Sequence, residues 1–169
     1  MNNILVQSDV LILRKTEEID LEFVLNTEHD SENMNYIGQQ TIEEHHKMLL
    51  DEDILHLIVG EKISNEAIGY VMIAGIKNKN RSIELRRIVI NKKGMGYGRE
   101  TIKLCKEIAF GMKKAHRLWL DVRQHNTRAY ALYKSEGFIE EGTLRECIMN
   151  EGDFESLIVL SILENEYLK

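Results

Sequence analysis

Proline is absent from this chain of 169 residues. None of the stiff Pro-rich spacers that separate domains can therefore be present, and no element is ended by a ring that fixes φ and removes a backbone donor. Cysteine is almost as scarce. Cys105 and Cys147 are too few and too far apart for a disulfide framework or a zinc site, and both read as reduced, semi-buried thiols. No apolar run approaches the roughly 20 residues that span a bilayer. Met1-Asn2-Asn3 also lacks the basic and apolar regions of a secretory leader, so the expected setting is cytoplasmic and away from membranes. Lys and Arg number 22 against 28 Asp and Glu, and no basic patch carries interleaved aromatics, which argues against a nucleic-acid partner. His45 and His46 are adjacent, so on a helix they point about 100° apart and make no i, i+4 metal pair; no metal is expected. With 43% hydrophobic residues the chain can bury one core but not two, so residues 1–169 read as one domain.

What is present centres on residues 88–112. Ile88-Val89-Ile90 is a β-branched run, and Gly94, Gly96 and Gly98 follow it. Gly98, Ile102, Cys105, Ile108, Ala109 and Met112 then recur at spacings of three and four, as on one helix face that lies on a sheet. A strand thus feeds a glycine turn that opens a helix. The first N–H groups of such a helix lack internal partners, and its dipole adds positive charge there, so the turn suits an anion. Glycines let a phosphate approach the backbone, and Lys92, Lys93 and Arg99 reinforce the sign. Two nucleotide patterns fail: no Lys-Ser or Lys-Thr follows the glycines as in a P-loop, and position 99 of a G-x-G-x-x-G fingerprint is Arg.

The remaining elements follow from periodicity and caps. Ile4 to Leu13 reads as a strand, Thr16 caps a helix from Glu17 to about Glu28, and Thr41-Ile42-Glu43-Glu44 is a capping box that starts a helix ending near Asp51. Strands are expected at Ile54–Lys62, Ala67–Ile76 and Ser82–Ile90, an antiparallel trio with turns at Ser64-Asn65-Glu66 and Asn78-Lys79-Asn80. After the glycine-turn helix, His116 to Val122 should be a strand parallel to Ser82–Ile90. Asn126 caps a helix over Thr127–Ser135 that stops at Gly137, and Phe138–Leu144 and Leu157–Leu163 form a last antiparallel pair across Asn150 to Asp153. The order β-α-α-β-β-β-α-β-α-β-β is an α/β fold with a mixed, mostly antiparallel central sheet flanked by helices.

Lys93-Gly94-Met95-Gly96-Tyr97-Gly98 resembles the acyl-coenzyme A loop of the GCN5-related N-acetyltransferase (GNAT) family, with Lys93 where Arg or Gln is usual. Asn126-Thr127-Arg128-Ala129-Tyr130-Ala131-Leu132-Tyr133-Lys134-Ser135-Glu136-Gly137-Phe138 resembles the family's N-x-x-A-x-x-x-Y-x-x-x-G-F. Asn126, Ala129, Tyr130 and Tyr133 share one helical face. The carboxy-terminal run, with Gly142, Gly152 and Tyr167, looks like the ribosomal-protein-alanine and spermidine acetyltransferase subgroup.

The resemblance implies an acetyl-CoA-dependent N-acetyltransferase that moves the acetyl group directly to a primary amine: a polyamine, another small cationic amine or a protein N-terminus. It implies cofactor contacts from Ile88, Val89, Ile90, Lys93, Gly94, Met95, Gly96, Tyr97, Gly98, Arg99, Asn126 and Tyr133, and a homodimer is the expected assembly. A module that binds acyl-CoA without turnover is the alternative, against which Tyr133 speaks. An alkylamine must lose a proton before it attacks, and the thiolate leaves more readily when a donor faces its sulfur. Tyr133 is the candidate acid, a backbone N–H of Ile88 to Ile90 the carbonyl donor by analogy with the family, and Glu84 the candidate base through one water. Asp121 is its rival, because a salt bridge to Arg81, Arg86 or Arg87 explains Glu84 equally well. Between Glu28 and Asp53 the chain has eight acidic residues and one basic, a net of −7, which would draw a cation to the acceptor side if those residues line it.

Overall fold

The computed structural model describes residues 3–169; the first two residues of the leader reading, Met1 and Asn2, lie outside them. Among the described residues, eight strands form one sheet in the order β1-β2-β3-β4-β5-β6-β8-β7. Their ranges are β1 Ile4–Gln7, β2 Leu11–Lys15, β3 Ile54–Glu61, β4 Ala67–Ala74, β5 Ser82–Ile90, β6 Arg117–Arg123, β7 Ile139–Asn150 and β8 Asp153–Leu163. The helices are α1 Leu21–His29, α2 Ile42–Leu50, α3 Tyr97–Lys106, α4 Thr127–Ser135 and the short α5 Glu164–Tyr167. The mixed, mostly antiparallel sheet flanked by helices is the expected fold, and β5–β6 is its one parallel pair.

Period-two alternation assigns the two faces of the sheet. On β3 and β4, Leu57, Val59, Val71 and Ile73 join a core with Ile102, Cys105, Ile108 and Ala109 of the α3 helix, while Ile58, Tyr70 and Met72 face Val24 of α1. On β5 the pairing Met72↔Arg87 and Ile73↔Leu85 leaves Arg86 as an extra residue, a β-bulge. It changes the parity of β5, so Ile83, Leu85, Ile88 and Ile90 share the α3 face and Val89 joins the α1 face.

Five expectations need correction. The single strand Ile4–Leu13 is a hairpin of β1 and β2, because the Ser8 hydroxyl accepts from the N–H of Val10 and Leu11 and turns the chain there. Thr16 is no helix cap; Glu17 and Asp20 cap a 3-10 turn over Glu18–Asp20 that leads into α1, and Thr16 is bonded to His56. The helix of the glycine turn widens into a π-helical segment at Glu107–Met112, where Lys113 N–H reaches back to Ile108 C=O (2.9 Å). That widening rotates the face, so Phe110 is buried and Met112 is exposed. The last strands are also longer than expected, and Cys147 on β7 is exposed, whereas the buried Cys105 thiol is pushed up to about 12.

Beneath α1 and α2 lies a buried polar cluster of Glu28, His45, His56, Tyr70 and Thr16. Burial lowers the His56 pKa to about 4, with the neighbouring His45 adding to the effect. Hydrogen bonds from His45, Tyr70 and Gln40, with the Arg87 charge, overcome the burial penalty on Glu28 and hold it at about 2. Both folded pKa values are depressed, so the unfolded chain binds more protons in acid. Stability should therefore fall as pH drops from 6.5 towards 4 through His56, by an amount on the order of 3 kcal/mol, and then further below 4.5 through Glu28. Urea midpoints at pH 7.0 and 4.5 check this; equal midpoints would show that His56 is protonated when folded.

Candidate active site

The parallel ladder between β5 and β6 covers only Ser82–Glu84 with Arg117–Trp119. Beyond it β5 stays with β4 as far as Ile90, and β6 stays with β8 as far as Arg123, so the two strands diverge. A cleft of about 1170 Å³ opens in the gap. Its walls include Leu85–Ile90 of β5, Asp121–Arg123 of β6, the turn before α3, one face of α4, and Tyr36, Ile37 and Gly38 from the segment between α1 and α2.

The glycine turn closes one end. Gly94 (φ +74°) and Gly96 (φ +77°) are left-handed, and a Cβ built on either meets no atom within 4 Å, so the space above them is open. Gly98 serves otherwise: its Cβ would press Leu132 at 3.3 Å, and its bareness lets α3 approach α4. Glu100 N–H returns to Gly96 C=O (3.1 Å), whereas the amides of residues 94–99 donate to no acceptor among the described residues. A run of unpaired amides at a helix start, under an open glycine surface, fits a diphosphate. The flanking cations are less free than the sequence suggests. Lys92 pairs with Glu61 and Glu66 (2.9 Å each), Lys93 donates to Asn33 (2.7 Å), and Arg99 pairs with Glu136. Arg128, within the quoted α4 motif and missed as a site residue, lines the cleft as well.

Of the expected cofactor residues, Ile88, Val89, Ile90, Lys93, Gly94, Gly96, Tyr97, Gly98, Arg99, Asn126 and Tyr133 line the cleft, and Met95 does not. Asn126 accepts the N–H of Ala129 (3.3 Å) as the cap of α4. Tyr133 is buried on the facing side of that helix, its ring edge-on to Phe138 with centroids 5.9 Å apart. Burial raises its pKa, helped by Cys105 and Asp121, so the hydroxyl stays protonated and able to donate at neutral pH.

The two carboxylates separate in the structure. Glu84 is held by Arg86, with Nη2 at 2.9 Å and Nε at 3.0 Å, and is not part of the cleft wall. Asp121 is in that wall. Solvent reaches it from the open side, yet the protein behind it raises its pKa, and the negative charge of Glu84 adds to the shift. Of the eight acidic residues between Glu28 and Asp53 only Glu32 lines the cleft, so the compositional charge does not focus there. Arg87, Arg123, His125, Ile148, Met149 and Leu157 also line the cleft and were not singled out as site residues. No local pattern marks them, because they meet only when the sheet order is known.

An open amide turn, a splayed parallel pair and a buried tyrosine donor lining one cleft with a carboxylate fit a transferase for a group carried on a phosphorylated cofactor. The profile described as Acetyltransferase (GNAT) family matches residues 19–138, and the chain belongs to that family. It is an acyl-CoA-dependent N-acetyltransferase that passes an acetyl group from acetyl-CoA to an amine. Among its relatives, spermidine N(1)-acetyltransferase of Vibrio cholerae is 28% identical over 165 residues, covering 94% of this chain and 95% of that protein. The enzyme of the same name from Escherichia coli strain K12 is 24% identical, over 92% of this chain and 87% of its own length. The crystal structure of the Vibrio cholerae spermidine N-acetyltransferase in complex with CoA and spermine superposes with a TM-score of 0.84 at 28% identity, over 94% of this chain and 98% of that one. A dodecameric structure of spermidine N-acetyltransferase from the same organism gives 0.80 at 27% identity, over 94% and 96%.

Proposed function

We propose that the acceptor is a polyamine and that Asp121, not Glu84, receives its proton. The polyamine rests on the likeness to spermidine acetyltransferases over nearly the whole chain. The roles rest on one observation: Tyr133 and Asp121 line the same cleft, at whose end the unpaired amides lie. In this reading the amides of residues 94–99 hold the diphosphate of acetyl-CoA, with Arg128 contributing charge. A β5 amide of Ile88–Ile90 polarises the thioester carbonyl from the edge that β6 has left. Asp121 takes a proton from the ammonium, which frees the amine to form the C–N bond, and Tyr133 protonates the departing sulfur. Glu84 acts on Asp121 through its charge. No covalent enzyme intermediate is used, so Cys105 and Cys147 are bystanders; their free thiols fit a cytoplasmic setting. Apolar side chains exposed along the β7–β8 hairpin, including Met149 and Phe154, support self-association.

The pH profile tests the assignment of the base. A base must be ionised, so activity is lost as pH falls through the pKa of Asp121. Glu84→Gln removes a negative neighbour, lowers that pKa and moves the acidic limb to lower pH. Asp121→Asn should reduce kcat by roughly 100-fold. Thiol release with spermidine, followed across pH, reads both. Full turnover by Asp121→Asn would overturn the assignment: the role would pass to Glu84 if Glu84→Gln abolishes turnover, and to solvent if Glu84→Gln leaves the acidic limb in place.

A further inference from the structure

Glu28 is fully buried and belongs to none of the steps above. Its Oε1 accepts from His45 Nε2 (3.0 Å), Tyr70 OH (2.5 Å) and Arg87 Nη1 (2.8 Å), and its Oε2 accepts the N–H of Gln40 (2.9 Å). Four donors fit an ionised carboxylate. With His45 Nε2–H pointing at Glu28, a neutral His45 must accept at Nδ1 from His56 Nε2–H (3.1 Å), and His56 then accepts at Nδ1 from the Thr16 hydroxyl (2.9 Å). Every donor in the chain points the same way, from Thr16 to Glu28, and no histidine needs a charge. The ensemble joins α1, α2, β3, β4 and β5 at one carboxylate.

Burying so many polar groups is costly, and an apolar core would hold α1 and α2 to the sheet at less expense. What an apolar core could not do is hold Arg87. Nη1 carries two hydrogens, and beside Glu28 it reaches Gly38 C=O at 2.6 Å. Gly38 and its neighbours Tyr36 and Ile37 form one wall of the cleft. The same segment is fastened from the end of β6, where Arg123 Nη1 (3.2 Å) and His125 Nε2, just past the strand (3.1 Å), both bond to Asn35 C=O and the His125 ring packs tilted by 32° against Tyr36 (centroids 5.5 Å). The wall therefore bridges the two strands that diverge below it, with an arginine from each.

We propose that Arg87, held in place by Glu28, is a positioning residue for the acceptor amine: it fixes the Tyr36–Gly38 wall against which the amine rests, and does not itself touch the reacting atoms. This rests on the transferase reading above. Lysine at 87 keeps a charge near Glu28, but its side chain is one atom shorter and rotates freely at its end, so it does not set a nitrogen where Nη1 bonds Glu28 and Gly38 together. Arg87→Lys should raise KM for spermidine about 10-fold while KM for acetyl-CoA stays within about twofold. Glu28→Gln should do the same, and Glu28→Gln with Arg87→Met should add little to Arg87→Met alone, since the two act as a unit. Tyr70→Phe, which keeps the packed ring and removes one donor to Glu28, should shift KM for the amine in the same direction by less, and serves if the charge variants fail to fold. A purely structural role would change the melting temperature and leave the amine KM in place, which would overturn the proposal. Hydrogen exchange of residues 34–39 in the folded, substrate-free enzyme is the second arm. Faster exchange in Arg87→Lys is expected, and unchanged exchange would overturn the proposal whether or not the enzyme turns over. If the wild type released no thiol with any amine, the transferase reading would fail and the acceptor role would fail with it; turnover with unchanged KM values would sink the positioning role alone.

Discussion

Tyr133→Phe is expected to lower kcat by roughly 100- to 10,000-fold, the range for losing a positioned general acid, while binding acetyl-CoA as the wild type does. The ring packs edge-on to Phe138, so a variant that keeps the ring and deletes one oxygen should change the melting temperature little. A loss confined to kcat would mean that the hydroxyl acts only as the thiolate departs. Thiol release at saturating acetyl-CoA reads the rate, and titration calorimetry with CoA reads the affinity. Full turnover in the variant would leave the sulfur to be protonated by water.

Gly96→Val acts at the other end of the cleft. The residue has φ +77° and precedes α3, where an L side chain costs about 1–2 kcal/mol and a β-branched one more. Because a Cβ there meets nothing within 4 Å, the protein itself has room for the side chain and the fold should survive with a lowered melting temperature. The ligand has no such room. Two isopropyl methyls would stand over the unpaired amides, and losing one or two charge-assisted hydrogen bonds predicts a fall in CoA affinity of about 100-fold. Gly94→Ala, also at positive φ, should weaken binding less because it adds a single methyl. Unchanged CoA affinity in Gly96→Val would show that the diphosphate binds elsewhere.

These two sites were legible in the sequence for the same reason. A glycine turn between a β-branched run and a helical period is a local pattern, and so is the α4 motif from Asn126 to Phe138. The caps at Thr41 and Asn126 and the parallel return of β6 are likewise dictated by near neighbours or by chain handedness, and the structure has them. What escaped depends on elements far apart in the chain. Arg86 looked like one more strand residue, yet as a bulge it resets which side chains face the core. The sequence favoured Glu84 over its rival Asp121, and only the divergence of β5 from β6 separates one bound by an arginine from one open to the cleft. The acidic residues between Glu28 and Asp53 suggested a cation-attracting cover, but Glu28 is buried beneath α1 and Asp53 accepts the N–H of Lys77 (2.6 Å). Glu28, His45 and His56 carry no spacing that announces a cluster, because three separate elements bring them together.

The central claim is that bare amides of residues 94–99 hold the diphosphate and the thioester then runs along the β5–β6 gap to Tyr133 and Asp121. A crystal structure of the enzyme with CoA and spermidine tests it most directly. The account predicts diphosphate oxygens about 3 Å from those amides, the sulfur within hydrogen-bonding reach of the Tyr133 hydroxyl, and an amine nitrogen beside Asp121. A diphosphate seated away from the glycine turn, or a sulfur on the far side of the sheet from Tyr133, would contradict it.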